Sequence, residues 1–396
     1  MIDPTDIGTS ANQLLKLDGT AKVPAVDGSL LTGLPASFTS SASDPTISTN
    51  PSGGVGTLWK NTTSGEVYCC TNATAGANVW TNIGEGTGDV KLDIGHTGEN
   101  YGFHMGGHNA PTGGRTNTIN KYSFTSDGNA TDHGDCTYVH NNAMGASSKT
   151  DGFHIGGYGT TTTNTIGKFA FSSNTTAADH GDLAVLKGTG AGLSSETHGY
   201  SAGGIINNGS FGSNEIQKFA FSSNTTATTV GTLHLAHAEG SSVSSTTDGY
   251  ICGGRSAAPT TYITPIRKYS FASEGTTTGH GDLYEIVGSP AGGSGITHGI
   301  LIGGYSSGAP VMVDRVQKFA YASNTTASDV GDQAIPLFGQ SGSASTTYAY
   351  SAGGSVVSEA RTNHIQKVAF ASGTNTTDIG NLTIAISWGN TGDVQY

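Results

Sequence analysis

Short hydrophobic stretches that close on a Gly-Gly pair recur along the chain: YGFHMGG (101–107), DGFHIGG (151–157), HGYSAGG (198–204), DGYICGG (248–254), HGILIGG (298–304) and YAYSAGG (348–354). Successive starts lie 50, 47, 50, 50 and 50 residues apart. After each pair and a loop comes a second signature with period-two alternation: INKYSF, IGKFAF, IQKFAF, IRKYSF, VQKFAY and IQKVAF. A third follows a turn: HGDCTYV, HGDLAVL, VGTLHLA, HGDLYEI, VGDQAIP and IGNLTIA. Runs of small residues such as GASSKT, GLSSET and SVSSTT precede the next Gly-Gly. Alternation of this kind marks strands, and the 3.6-residue period of a helical solenoid is missing. Each unit therefore predicts four short strands.

The copied positions have physical roles in such a unit. Phe169 and Phe171 flank Ala170, so both rings leave one face of the sheet and are expected to pack on the neighbouring unit, each contributing about 2 to 3 kcal/mol when buried. The pairs Gly106 and Gly107, Gly156 and Gly157, Gly203 and Gly204, Gly253 and Gly254, Gly303 and Gly304, and Gly353 and Gly354 suit positive φ or close backbone approach where the second strand turns outward. SSNTTA, copied at 172–177 and 222–227, reads as the hairpin loop between strands three and four. It also spells N-glycosylation sequons at Asn174, Asn224 and Asn324, but the turn explains the letters without sugar. The recurring Lys121, Lys168, Lys218, Lys268, Lys318 and Lys367 are expected to make a structural contact with an acid on the fourth strand. The candidates are Asp135, Asp182, Asp282 and Asp332, with Thr232 and Asn381 breaking the series.

This order of a small-residue strand, a strand ending in Gly-Gly, an aromatic third strand and a fourth leading onward resembles the kelch repeat. The resemblance covers residues 88–396 and implies an all-β fold with a six-bladed kelch-like β-propeller. The Trp that usually opens the fourth kelch strand is absent here. Narrow inner strands of Ser, Gly and Thr fit the taper of such a ring. GDVKLD (88–93) resembles a fourth strand, while SWGNTGDVQY (387–396) offers itself as a returning innermost strand.

Composition narrows the function. Charged residues make up only 12% of the 396, and a formal charge of −12 with 17 Lys plus Arg gives no phosphate-neutralising footprint, so nucleic acid is not an expected partner. No basic n-region with an apolar h-region opens the chain and no apolar run is long enough to span a bilayer, so no signal peptide and no membrane insertion are expected and a soluble chain is. Cys69, Cys70, Cys136 and Cys252 have no metal or disulfide spacing and read as free thiols.

The first ninety residues differ in kind. GTSANQLLKLDGTAKVPAVDGSLLTGL (8–34) is similar to segments of phage tail-fibre and related virion proteins, and DPTISTNPSGG…VWTNIG (44–84) resembles a small β module of fibre-like proteins from phages of marine bacteria. Leu14, Leu15, Leu17, Val23, Val26, Leu30, Leu31 and Leu34 exceed what so short a segment buries alone, so it is expected to dock on other virion proteins or on copies of itself, a homotrimer being favoured. The expected divisions are an attachment segment (1–35), a linker (36–56), a β module (57–87) with Trp59, Val67, Tyr68, Trp80 and Ile83 as its core, and the propeller (88–396).

Chemistry is sparse. No GxSxG elbow, P-loop or HExxH occurs, the Asp residues follow the repeat, and no catalytic residue, metal ligand or cofactor is assigned. His104 and His154, two residues before Gly-Gly in successive units, read as packed or water-bonded; His133, His180 and His280 read as sheet-edge residues. The loops after Gly-Gly are the uncopied part. Arg115, Tyr158, Phe211, Arg255, Tyr262, Tyr305, Arg315 and Arg361 in those loops are the candidate binding residues, aromatics for sugar rings and arginines for acidic groups. The expected function is a non-enzymatic phage virion protein, a tail or head fibre that presents its propeller to a host surface glycan or another virion protein. The alternative is a cellular kelch-like adhesion or interaction module.

Overall fold

The computed structural model describes residues 39–84, 96–110, 113–206, 212–257, 261–306, 312–358 and 360–395. The expected attachment segment 1–35 and the GDVKLD strand lie outside these residues. The chain divides into two compact units, residues 1–93 and 94–396. Among the described residues every regular element is a strand, and no helix is long and apolar enough to cross a membrane.

In the first unit Thr39–Ser41, Leu58–Asn61, Val67–Asn72 and Val79–Asn82 form one four-stranded sheet. Residues 39–56 are part of this module and not a linker. Thr39–Ser41 pairs in parallel with Leu58–Asn61, and the Asn78 side-chain amide donates to the Ile47 carbonyl and to Asn50 Oδ1 (2.8 and 2.7 Å). Tyr68, Cys70 and Trp80 are the core, with Trp59 edge-on to Trp80 at 5.9 Å. Ile83, expected inside, is 58% exposed because it follows the last strand.

Among the described residues the second unit holds two two-stranded ribbons, Lys187–Gly188 with Ile205–Ile206 and His237–Ala238 with Arg255–Ser256. Its six main sheets run in chain order, antiparallel apart from the short parallel additions Asn390–Thr391 and Gly275–Thr276. The second is typical: Ala143–Ser147, Asp151–Tyr158, Thr162–Ala170 and Ala178–Asp182, each paired with the next. The first sheet has only three consecutive strands, Tyr101–Asn109, Arg115–Ser123 and Thr131–His140. Its innermost position is filled by residues 386–395, where Ile386–Ser387 pairs with His108 and Asn109, Gln395 bridges Gly102, and the Phe103 amide donates to Val394. The innermost strands neighbour one another in a series that closes from the sixth sheet through Asn390–Thr391 to the second.

The Gly-Gly pairs take the positive φ expected of them, but their setting varies. In the first two sheets the pair lies inside the second strand, within Tyr101–Asn109 and Asp151–Tyr158; in the other four it follows a shorter strand such as His198–Ala202. The two glycines of a pair also differ. The leading one has φ between 56° and 67°, whereas Gly107, Gly157, Gly204, Gly254, Gly304 and Gly354 range from 89° to 121°. This second position presses on the segment that enters the innermost strand of its sheet. A Cβ on Gly204 would meet the Gly188 carbonyl oxygen at 2.7 Å, and one on Gly254 the Ala238 oxygen at 2.6 Å. On Gly107 it would meet Ile386, on Gly157 the Asn141 oxygen, on Gly304 Val287 and on Gly354 the Gln340 side chain, all within 3 Å. Close approach inward, in addition to the turn, therefore fixes the second glycine.

Three layers hold the closed series. Around the centre the backbones approach so closely that a Cβ on Gly192 or Gly342 would strike the carbonyl oxygen of Gly145 or Gly292; small residues are a steric requirement there. Between sheets, aromatic rings stack: Phe103 on Phe171 (4.9 Å), Phe153 on Phe221 (4.8 Å), Tyr200 on Phe271 (5.0 Å), Tyr250 on Tyr321 (4.8 Å) and Tyr350 on Phe124 (4.5 Å). At the remaining interface Ile300 and Val368 pack with Phe370. The last of the aromatic pairs joins the sixth sheet to the first, so packing closes along with pairing.

At the rim the hairpin of each sheet is stitched to the fourth strand of the sheet before it. The amides of Ala177, Ala227, Thr277, Ala327, Thr376 and Ala130 donate to the carbonyls of Asp135, Asp182, Thr232, Asp282, Asp332 and Asn381, at 2.7 to 2.9 Å. The residues supplying these carbonyls are the ones expected to pair with the recurring lysines. The pairing is different: Lys168 meets Asp151 (3.2 Å), Lys268 meets Asp248 (3.0 Å), Lys218 meets Glu274, Lys367 meets Asp127 (2.5 Å), Lys318 donates to the Phe370 carbonyl (2.5 Å) and Lys121 lies 4.0 Å from the Tyr101 ring centre. The bond common to all six uses only the carbonyl of the fourth-strand position, which is why Asn381 and Thr232 also fill it, the Thr232 hydroxyl adding a contact to Thr276 (3.0 Å). Asn174 and Asn224 commit their side-chain amides to the Asp132 and Asp179 carbonyls (3.1 and 3.2 Å).

Candidate binding mouth

Each innermost strand is entered through one residue in the left-handed region: Asn142 (φ 53°), Thr189 (57°), Glu239 (59°), Ser289 (49°), Gly339 (64°) and Trp388 (58°). Only one of the six is glycine, so the remaining five hold a conformation that L-residues avoid unless their surroundings impose it. What imposes it is a closed circuit of backbone hydrogen bonds. Asn142 donates to Trp388, Thr189 to Asn142, Glu239 to Thr189, Ser289 to Glu239, Gly339 to Ser289 and Trp388 to Gly339, all at 2.7 to 3.0 Å. The amides and carbonyls of this belt satisfy one another, so its side chains are free to differ.

They differ, and they frame a cavity of about 330 Å³ lined by His108, Asn141, Asn142, Tyr158, Thr189, Ile205, Glu239 and Trp388. An aromatic arc continues from it: Trp388 contacts Phe338 (5.4 Å), Phe338 contacts Tyr305 (5.6 Å) and Tyr305 contacts Tyr262 (5.5 Å). Glu239 is fixed between Arg255 Nη2 and the Tyr262 hydroxyl, both at 3.0 Å. Arg115 Nε donates to Asn141 Oδ1 at 2.6 Å. Burial, and then the nearby Arg361 and Arg115, push the His108 imidazole below its ordinary pKa, so it is neutral at pH 7.

The candidate residues thus separate. Tyr158 lines the mouth, Arg255 and Tyr262 stand behind its Glu239 with Tyr305 against Tyr262, and Arg115 stands opposite His108, with Arg361 near enough to act on the same imidazole. Arg315 is elsewhere, held by Glu285 and Asp329 (2.5 Å each) over the exposed Tyr284. Phe211 lies outside the described residues. Sequence reasoning misses the belt, including Trp388 and Glu239. The only signal is positional, one residue type differing at each fifty-residue step just before a small-residue run.

At the opposite end of the innermost strands the amides of Ser147, Ser194 and Ser244 donate to the hydroxyls of Ser194, Ser244 and Ser294 (2.8 to 3.1 Å), and the Ser294 amide donates to Asp393 Oδ2 (2.6 Å). The cavity there, about 10 Å³, has room for a single water. Burial raises the Asp393 carboxyl to about 7 despite those hydrogen bonds.

The histidines within the sheets are structural. His154 Nε2 accepts the Thr137 amide (3.2 Å), a role played by Gln217, Gln317 and Gln366 in later sheets, and Gly167 leaves the space it needs. His133, His180 and His280 bond the carbonyls of Ala170, Ala220 and Ala320 on the next sheet (2.9 to 3.0 Å). His104 and His140 are fully buried, and His140 stacks on His154 at 5.1 Å. Among the described residues no three His, Cys, Asp or Glu side chains are placed to hold a metal ion, and all four cysteines are free. No protein-family model matches the chain, and no curated protein matches it.

Proposed function

We propose that the six sheets are the blades of a kelch-like β-propeller, and that the protein is a non-enzymatic phage virion component, a fibre or receptor-binding protein whose mouth faces a host surface glycan. The observation that carries this reading is the mouth itself. A scaffold of copied strands, closed at rim and centre by backbone bonds, presents uncopied polar and aromatic side chains around one cavity. Rigid scaffolds with variable loops are built for recognition. The virion-like segments at 8–34 and 44–84 supply the other half of the reading, an anchoring end that oligomerises and meets other virion proteins.

Mass spectrometry of gradient-purified particles tests the location, and the expected result is this chain in copy numbers typical of an appendage. Purified chain added before infection is expected to reduce particle adsorption. Absence from purified particles overturns the reading.

A further inference from the structure

Positive groups converge at one corner of the mouth, and among the described residues no acid pairs with them. Arg115 stands opposite His108 across paired strands of the first sheet, and Arg361, from the sixth sheet, precedes Thr362, whose carbonyl accepts the amide of Ile386, the partner of Asn109 beside His108; both guanidiniums add to burial in holding the His108 imidazole down. The partner of Arg115 is the neutral Asn141, and the buried Nε of Arg361 and Nδ1 of His108 have no hydrogen-bond partner. The other mouth arginine, Arg255, already has Glu239, and Arg315 already has Glu285 and Asp329. Buried donors on a charged group are costly until something accepts from them, and a guanidinium fork matches a carboxylate. Beside this corner stand the flat face of Trp388 and the hydrogen-bonding groups of Asn141, Asn142 and Thr189, the combination that suits a polyhydroxylated ring.

We infer that the mouth binds an acidic saccharide, its carboxylate seated among His108, Arg115 and Arg361 and its ring against Trp388. This rests on the reading of the mouth as the receptor-contacting end. The chain's formal charge of −12 opposes long-range attraction of a polyanion, so recognition comes from the corner at short range.

Calorimetric titration of the full chain with tetragalacturonate, tetraguluronate and 3′-sialyllactose, each beside its carboxyl-reduced counterpart, tests this. At least one acidic probe is expected to bind about tenfold or more tighter than its reduced form, and Arg361→Gln to remove that margin, as loss of a charged hydrogen bond does. Arg315→Gln is the control and leaves binding unchanged. If Arg361→Gln does not fold, the exposed Arg115→Gln carries the same measurement. Equal binding of acidic and reduced probes, no binding of any acidic probe, or folded variants that bind like the original chain each overturn the inference. Neutral probes that bind as tightly as acidic ones, both lost on Trp388→Ala, would sink the acidic class and leave the receptor reading standing. Absence from particles would sink the receptor reading and leave acid binding intact.

Discussion

The rim and the mouth are both closed by six backbone hydrogen bonds, yet their sequences behave oppositely. At the rim the donors sit in the copied hairpin SSNTTA and its variants, while at the mouth six positions carry six different residues. Backbone bonding alone leaves side chains free at both. The rim is copied because its neighbours must also pack: Phe169 and Phe171 behind the hairpin meet Phe103, and Asn174 reaches Asp132. At the mouth no one packing task recurs from sheet to sheet: Trp388 meets Phe338 and Glu239 meets Arg255 and Tyr262, each contact its own. Repetition in this chain records side-chain packing, and its absence marks where side chains are released for other use.

The sharpest way to break the contrast is to open the circuit. Deleting 386–396 removes Trp388 from the belt and the innermost strand from the first sheet, uncovering the Phe103 and Met105 backbone that now bonds Val394 and Asn390. Loss of cooperative thermal unfolding is expected, followed by circular dichroism, and an unchanged melting curve would refute closure as a stabilising element. A single ring deletion, Phe153→Ala, is expected to lower stability by about 3 to 5 kcal/mol in denaturant titration.

Acidity separates the two ends of the innermost strands. His104 and His237 are held down to about 4 and His140 to about 3, chiefly by burial. Below about pH 6.5 the unfolded chain takes protons that these folded imidazoles refuse, so stability falls from there toward pH 4, by about 3 kcal/mol for His104 alone. Asp393 runs the other way. Its raised value means its contribution is whole below about pH 3.8 and is lost as pH climbs to about 7. Asp393→Asn is therefore expected to raise the melting temperature at pH 8, by the equivalent of about 2 to 4 kcal/mol, and to leave it nearly unchanged at pH 4. A variant equally stabilised at both pH values would contradict this.

Smaller changes probe the belt and the rim. Thr189→Gly relieves a β-branched residue at φ 57°, so a gain of about 1 kcal/mol is expected in chemical denaturation. Asp182→Thr, imitating Thr232, is expected to stay within about 0.5 kcal/mol because only the carbonyl is used. A larger loss would mean that the Asp side chain is engaged after all.

The four-strand order of each sheet is legible because packing forces the same residues to return every fifty positions, and the returning SWGNTGDVQY segment is legible as the strand still missing. The Gly-Gly pairs are legible as turns, but the inward contact that fixes their second member, Gly204 against Gly188 for example, belongs to another part of the sheet. The lysine partners are not legible. Lys168 stands opposite Phe153, two residues from Asp151, and that diagonal depends on register between strands two and three, which alternation alone does not fix. The belt escapes for a different reason: a left-handed conformation enforced by neighbouring backbones leaves no preference for Gly or Asn to show itself, and Trp388 and Glu239 hold it as well as Asn142 does. Arg315 falls with the mouth residues by its place after a Gly-Gly, although its acids, Glu285 and Asp329, lie beside and on fourth strands.

The late arrival of the first sheet's inner strand sets a timetable for biosynthesis. Met105 waits for Asn390, 285 residues downstream, which at ribosomal speeds of about 5 to 20 residues per second is on the order of tens of seconds. Throughout that interval the nascent chain carries an open strand edge beside Phe103 and Met105, the kind of edge that recruits other strands. Crowded polysomes translating this message therefore expose a window for cross-pairing between neighbouring chains, and the window shuts only when the final turn of the circuit emerges.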